Sequence, residues 1–187
     1  LTLWNSFVFY QTYVPPKRPK PGLGRHVLDR WICSRLSQTT QEVTQKLDAY
    51  DVTGAGRSLE NFVVNDLSLW YIRRSRTRFQ NPASAKDFKE AKATLSFVLL
   101  QTSKLAAPFI PFLSEHIHDS LQVKGSPSTS LRTSVHWEDW PKTGKADEKL
   151  EREMELVRDL VTKALAERAK AQLKVRQPLA LLKIQQK

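Results

Sequence analysis

Apolar side chains recur in this chain at three- and four-residue steps, and prolines cut the pattern into segments. Such spacing lines one face of an α-helix, which turns once in 3.6 residues. The helical segments run over about 1–13, 27–49, 52–79, 85–106, 111–121 and 147–174. In the second, Leu28, Ile32, Leu36, Thr39, Val43, Leu47 and Tyr50 share a face. In the fourth, Phe88, Ala91, Leu95, Val98, Leu99, Thr102 and Leu105 do the same. Asp51 is placed to cap the third segment, and Ser84 with Asp87 resembles a capping box for the fourth. Pro15-Pro16, Asn81-Pro82 and Pro108 end helices, and Pro111 sits where a first turn accepts proline. Gly54 and Gly56 weaken the start of the third helix. The expected fold class is all-α: an antiparallel helix bundle with a long additional C-terminal helix.

The chain divides into three regions. Residues 1–122 form the bundle, with a basic, proline-rich linker at 15–25 between its first two helices. Residues 123–146 read as loop, in which Val135-His136-Trp137 forms a brief extended piece. Residues 147–187 hold the long charged helix and the start of a truncated C-terminal region, with Leu179–Ile184 as the beginning of a strand. Leu1 offers no cap, so the first helix reads as beginning upstream.

The chain carries 30 Lys and Arg against 19 Asp and Glu, a formal net charge of +11 in 187 residues. The surplus collects at 15–25, at 73–78 and at 168–187, where segment ends can meet a partner. A basic excess of this size points to a polyphosphate partner, most often nucleic acid. One cysteine excludes a disulfide framework and a cysteine-based zinc site. No apolar run reaches the roughly 18 residues of a membrane span. Residues 1–14 lack the basic start of a signal peptide. A cytoplasmic protein with no membrane association is therefore expected, and a monomer is expected as well.

The third helix carries the sharpest signal. Steps of 100° put Leu59, Val63 and Trp70 on one face, and that face continues into Arg73, Arg74, Thr77 and Arg78. Burying several unpaired charges would cost several kcal/mol each, so this end is expected to project beyond the core. Guanidinium forks suit phosphates and stack on bases. The plain alternative is a solvated basic helix end.

Catalytic and metal-binding motifs are absent. The six glycines form neither a phosphate-binding loop nor a dinucleotide fingerprint. His116 and His118 do not share a helix face and make a poor metal pair. Cys33 falls beside the apolar face and reads as a buried structural thiol. Glu138 and Asp139 sit in a loop without a companion base.

Five runs, in order, carry a family resemblance: Leu28 to Leu36, with Asp29-Arg30-Trp31-Ile32-Cys33; Asn65 to Phe79 with Trp70-Tyr71-Ile72-Arg73-Arg74-Ser75-Arg76 at its centre; Ala107 to Glu115, with Pro108-Phe109-Ile110-Pro111; Ser134-Val135-His136 with Trp140-Pro141; and Lys174-Val175-Arg176-Gln177-Pro178-Leu179. Together they resemble the anticodon-binding helical region of isoleucyl-tRNA synthetase, a class I aminoacyl-tRNA synthetase. Trp4-Asn5 and the basic proline linker look like its eukaryote-type branch. The valyl and leucyl enzymes share the layout. Cys33 stands where an aliphatic is expected, and 123–134 looks like an insertion.

The resemblance implies a parent enzyme that joins isoleucine to tRNA(Ile) with ATP and magnesium. It implies that this chain binds the anticodon stem-loop and packs with a catalytic domain of the same polypeptide. The family's His-Ile-Gly-His and Lys-Met-Ser-Lys-Ser signatures are not in this sequence, nor is an editing domain, so the fragment is expected to be non-catalytic and to need no cofactor of its own. In the valyl relative, an Asn after Trp and an aromatic four residues later lie at the anticodon loop. The matching positions are Asn5 and Phe9. With the basic clusters they make the expected tRNA-binding set: Asn5, Phe9, Lys17, Arg18, Arg73, Arg74, Arg76, Arg78, Lys174 and Arg176. A basic helical protein-interaction module, or the equivalent valyl or leucyl domain, is the alternative.

Overall fold

Helix α2, Val27–Asp48, is the central element of the fold. Its stripe puts Trp31, Ile32, Leu36 and Val43 in the core, each nearly free of solvent. The computed structural model describes residues 1–14, 24–121, 134–181 and 183. Most of the linker at 15–25, with Lys17 and Arg18, lies outside them, as does nearly all of the insertion at 123–134.

Helix α1 spans Thr2–Tyr13, α3 Val52–Asn61, α4 Arg73–Gln80, α5 Ala85–Ala106, α6 Pro111–Leu121 and α7 Glu148–Lys170. No strand occurs among the described residues. Two compact units result, Leu1–Asp147 and Glu148–Lys187. In the first, α2 packs against α3 and α5, α1 lies against α5, and α5 contacts α4 and α6. The shared core adds Phe7 and Tyr10 from α1, Leu95, Val98 and Leu99 from α5, and Ile117 and Leu121 from α6.

The expected caps are present. Ser84 Oγ accepts from the Asp87 amide at 3.1 Å, and Asp51 Oδ1 accepts from the Gly54 amide at 2.8 Å. The glycine that weakens α3 by propensity is required by its cap, because a Cβ on Gly54 would lie 1.9 Å from Asp51 Oδ2. Helix α2 ends in a Schellman motif: the Asp51 amide donates to Lys46 O at 2.8 Å and Tyr50 N to Leu47 O at 3.0 Å. Tyr50 occupies the left-handed position, with φ 60°, and is 92% exposed.

Two expectations about local structure fail in the first unit. Val135–Trp137 forms a 3₁₀ turn rather than an extended piece, because Ser134 Oγ caps it and its peptide groups bond locally. Its neighbourhood is tied to the bundle. The Val135 amide donates to Glu115 at 2.8 Å, Trp140 Nε1 to Thr44 Oγ1 at 2.8 Å, and the Asp147 amide to Ser34 Oγ at 2.7 Å.

The second failure concerns the helix expected to run unbroken from 52 to 79. Between α3 and α4 the backbone is π-helical over Phe62–Ile72. Its i→i+5 bonding advances each residue by less than the 100° of an α-helix, so the buried face drifts. The buried residues run Phe62, Val63, Asp66, Leu67, Tyr71, Ile72, then Ser75, Arg78 and Phe79. Trp70 is only partly buried, and Arg73 and Arg74 face solvent.

The second unit is built on α7, with Glu148 and Glu151 in its first turn and Arg168 and Lys170 in its last, as the helix dipole favours. The helix stops at Lys170, short of 174, in a second Schellman motif with Gln172 at φ 56°. Arg168 Nη2 then donates to the carbonyls of Lys174, Val175 and Gln177 and holds that turn. Leu179 and Leu181 are not in a strand, and residues 182 and 184–187 lie outside the described set.

Candidate nucleic-acid interface

Helix α1 lies against the π-helical segment, and an open groove runs between them. It has a volume of about 480 Å³ and is lined by Asn5, Ser6 and Phe9 from α1, Ser68, Leu69 and Ile72 from the π segment, and Arg73 and Arg76 from α4. Four of the expected tRNA-binding residues, distant in sequence, meet here: Asn5, Phe9, Arg73 and Arg76. The apolar floor suits a flat ring, and the two guanidiniums suit phosphate oxygens.

The groove is held ready by local contacts. Phe9 packs edge-on against Phe79, with centroids 5.2 Å apart, and against Tyr13 at 4.9 Å. The Arg76 guanidinium sits 5.7 Å from the Phe9 centroid. Ser6 Oγ donates to Thr2 O at 2.9 Å, so that hydroxyl proton is used within the helix. No ion pair engages Arg73 or Arg76 among the described residues. Leu69, 52% exposed, stands on the groove with no core to cover it.

Arg78 is a correction. It was expected to contact phosphate, but only 8% of it is exposed. Its Nη1 and Nη2 donate to the two oxygens of buried Asp29 at 2.8 and 2.9 Å, and its Nε donates to Asp87 at 2.8 Å. Tyr71 also donates to Asp29, at 2.7 Å. The π segment has rotated this arginine inwards, where two carboxylates compensate its charge. Burial opposes the Arg78 charge, but the bonds to Asp29 and Asp87 outweigh it and raise the pKa. Burial, with Asp29 beside it, raises the Tyr71 phenol well above its usual range. Gly24 completes the cluster: its amide donates to Thr94 Oγ1 at 2.8 Å, and a Cβ there would lie 2.1 Å from Asp29 Oδ2.

Other expected residues lie elsewhere. Arg74 sits over Trp70, away from the groove lining. Lys174 and Arg176 are exposed in the second unit, on the turn that Arg168 holds. Lys17 and Arg18 are outside the described residues. Ser68, Leu69 and Ile72 were missed, because their place on the groove depends on the π phase. Only the five-residue step from Leu67 to Ile72 hints at it.

Burial pushes the Cys33 thiol up to about 12, so it is no nucleophile. Glu138 lies 2.7 Å from Lys104 Nζ and 3.7 Å from His118 Nε2. His118 is buried, which lowers its pKa against the pull of Glu138. No group of three or more His, Cys, Asp or Glu among the described residues is placed to hold a metal. No helix there is long and apolar enough to cross a membrane.

A groove joining an aromatic floor to unpaired guanidiniums at the expected positions invites comparison with known proteins. Residues 29–185 match the family described as the anticodon-binding domain of tRNA ligase. The chain belongs to this family. The isoleucine–tRNA ligase of Thermus thermophilus is 43% identical over 97% of the chain. That of Clostridium acetobutylicum is 38% identical over the whole of this chain, and that of Deinococcus radiodurans 40% over 96% of it. The chain spans 18%, 18% and 16% of these relatives, so it corresponds to one part of a long polypeptide. Within this anticodon-binding domain the family match extends over α2 to α7, whereas α1, which supplies one wall of the groove, precedes it.

Proposed function

We propose that this domain binds the anticodon arm of tRNA(Ile) through the groove between α1 and the π segment. The observation that carries this reading is the convergence of Asn5, Phe9, Arg73 and Arg76 on one open groove. Phe9 offers a ring to an unpaired base, and base–aromatic stacking is worth about 1–3 kcal/mol. Arg73 and Arg76 bind the flanking phosphates. Single-stranded loops are where RNA splays its bases for such reading. Lys17, Arg18, Lys174 and Arg176 add sequence-independent attraction.

The parent protein is an isoleucine–tRNA ligase, cytoplasmic and monomeric. It uses ATP with magnesium in a catalytic domain on the same polypeptide, and this chain contributes tRNA binding without activation chemistry. The identity to isoleucine–tRNA ligases across nearly the whole chain supports this reading. The test is binding of the 187-residue chain to a tRNA(Ile) anticodon stem-loop hairpin across a salt series. Saturable binding that weakens as salt rises is expected; affinity no greater than for an acidic polypeptide would defeat the reading. An isoleucine-dependent ATP–pyrophosphate exchange assay on the same chain should read blank.

A further inference from the structure

Arg74 is the exposed arginine of α4 that does not reach the groove. Its guanidinium carbon lies 4.6 Å from the Trp70 ring centroid, within cation–π range. Arg74 is exposed, Trp70 is partly exposed, and neither lines the groove. No ion pair engages Arg74 among the described residues. Trp70 is also the large side chain that an unbroken α-helix would have carried into the core and that the π segment turns outwards.

We propose that the Trp70–Arg74 pair is a second stacking platform, separate from the Phe9 groove, which takes one unpaired nucleobase of the bound RNA. The proposal rests on the RNA-binding reading above. A guanidinium is planar, weakly hydrated and able to stack. Resting on an indole, it has already lost much of its rotamer freedom, so a base stacking on its outer side meets a preorganised surface. A guanidinium lying over an indole turns its flat outer face to solvent, and that face suits a base, whereas a phosphate is met along the N–H edge. The order of groups around α4 supports the assignment. With 100° per residue, Arg76 and Arg74 fall on opposite sides of Arg73. Arg76 rests near Phe9 and Arg74 on Trp70, while Arg73 is paired with no ring among the described residues. Two aromatic–guanidinium pairs thus flank one free guanidinium, an arrangement suited to a phosphate between two splayed bases.

The test uses the 187-residue chain and two hairpins with the same stem, one with a seven-nucleotide loop and one with an abasic loop. Arg74→Lys keeps the charge and removes the plane. It should weaken binding to the intact loop about tenfold, the scale of one lost base stack. It should leave the salt slope unchanged and have no effect on the abasic hairpin. Trp70→Phe, with a smaller ring under the cation, should weaken only the intact loop, by less. Equal losses on both hairpins would make Arg74 a phosphate contact and overturn the platform, as would no loss on either. Equal affinity of the unaltered chain for both hairpins also overturns it. Binding of neither hairpin defeats the RNA reading itself, and the platform with it.

Discussion

Helix α4 places four arginines in six residues, yet one side of it is sealed and the other open. Arg78 is buried, bidentate on Asp29 and bonded to Asp87. Arg73, Arg74 and Arg76 face solvent, two of them beside aromatic rings. The same side chain thus does two jobs, which its surroundings separate. Where carboxylates are within reach and water is excluded, guanidinium ties helices together. Where neither holds, it remains available to an anionic partner. Composition counts all four as one basic cluster, but only three present their charge to solvent.

The comparison breaks most readily at Asp29. Replacing it with alanine strands Arg78 as a buried unpaired charge and should destabilise the fold by about 3–5 kcal/mol in denaturant unfolding. A loss below about 1 kcal/mol would mean that the buried side is no more structural than the exposed one. Arg73→Ala with Arg76→Ala should leave stability within about 0.5 kcal/mol. The same pair should weaken anticodon-hairpin binding roughly tenfold and lower the salt slope by about 1.4–1.8. An unchanged slope would remove both residues from the phosphate contacts.

The contrast between buried and exposed copies of one residue type extends to histidine and tyrosine. Burial lowers the His118 pKa, so the unfolded chain binds its proton more readily than the folded one. The stability this lends is complete above the ordinary histidine range near 6.5 and is lost as pH falls through the lower folded value. A thermal melt series from pH 7.5 to 5 should show Tm falling with acid, and His118→Gln should flatten the fall. An equal acid response in that variant would place the effect elsewhere. Among the tyrosines, buried Tyr71 is bonded to Asp29, whereas exposed Tyr50 holds a strained left-handed cap. Tyr50→Gly should relieve that strain and raise stability by about 1 kcal/mol. A loss on that substitution would show that the ring makes a contact the cap geometry does not require.

Much of the fold was legible because its signals are local. Stripe spacing, the Asp51 and Ser84 caps and the prolines place α1, α2, α5, α6 and the start of α3 close to where they stand. The π segment was not legible, since i→i+5 bonding follows from how Asp66, Leu67, Tyr71 and Ile72 pack rather than from any residue's propensity. The site was half legible for the same reason. Residue type marked Phe9 and the arginines as suited to RNA. Which arginines face outwards depends on helix phase, and phase drifted across eleven residues.

By itself the sequence determined that this chain is helical, basic and akin to the anticodon-binding region of isoleucyl-tRNA synthetases, because helix periodicity, charge and motif order are properties of the covalent chain. The tertiary structure alone decided that α1 forms one wall of the groove, that Arg78 belongs to the core with Asp29, and that Trp70 turns outwards under Arg74. Each of these depends on the angle at which one helix meets another, and that angle is set by packing among residues far apart in sequence.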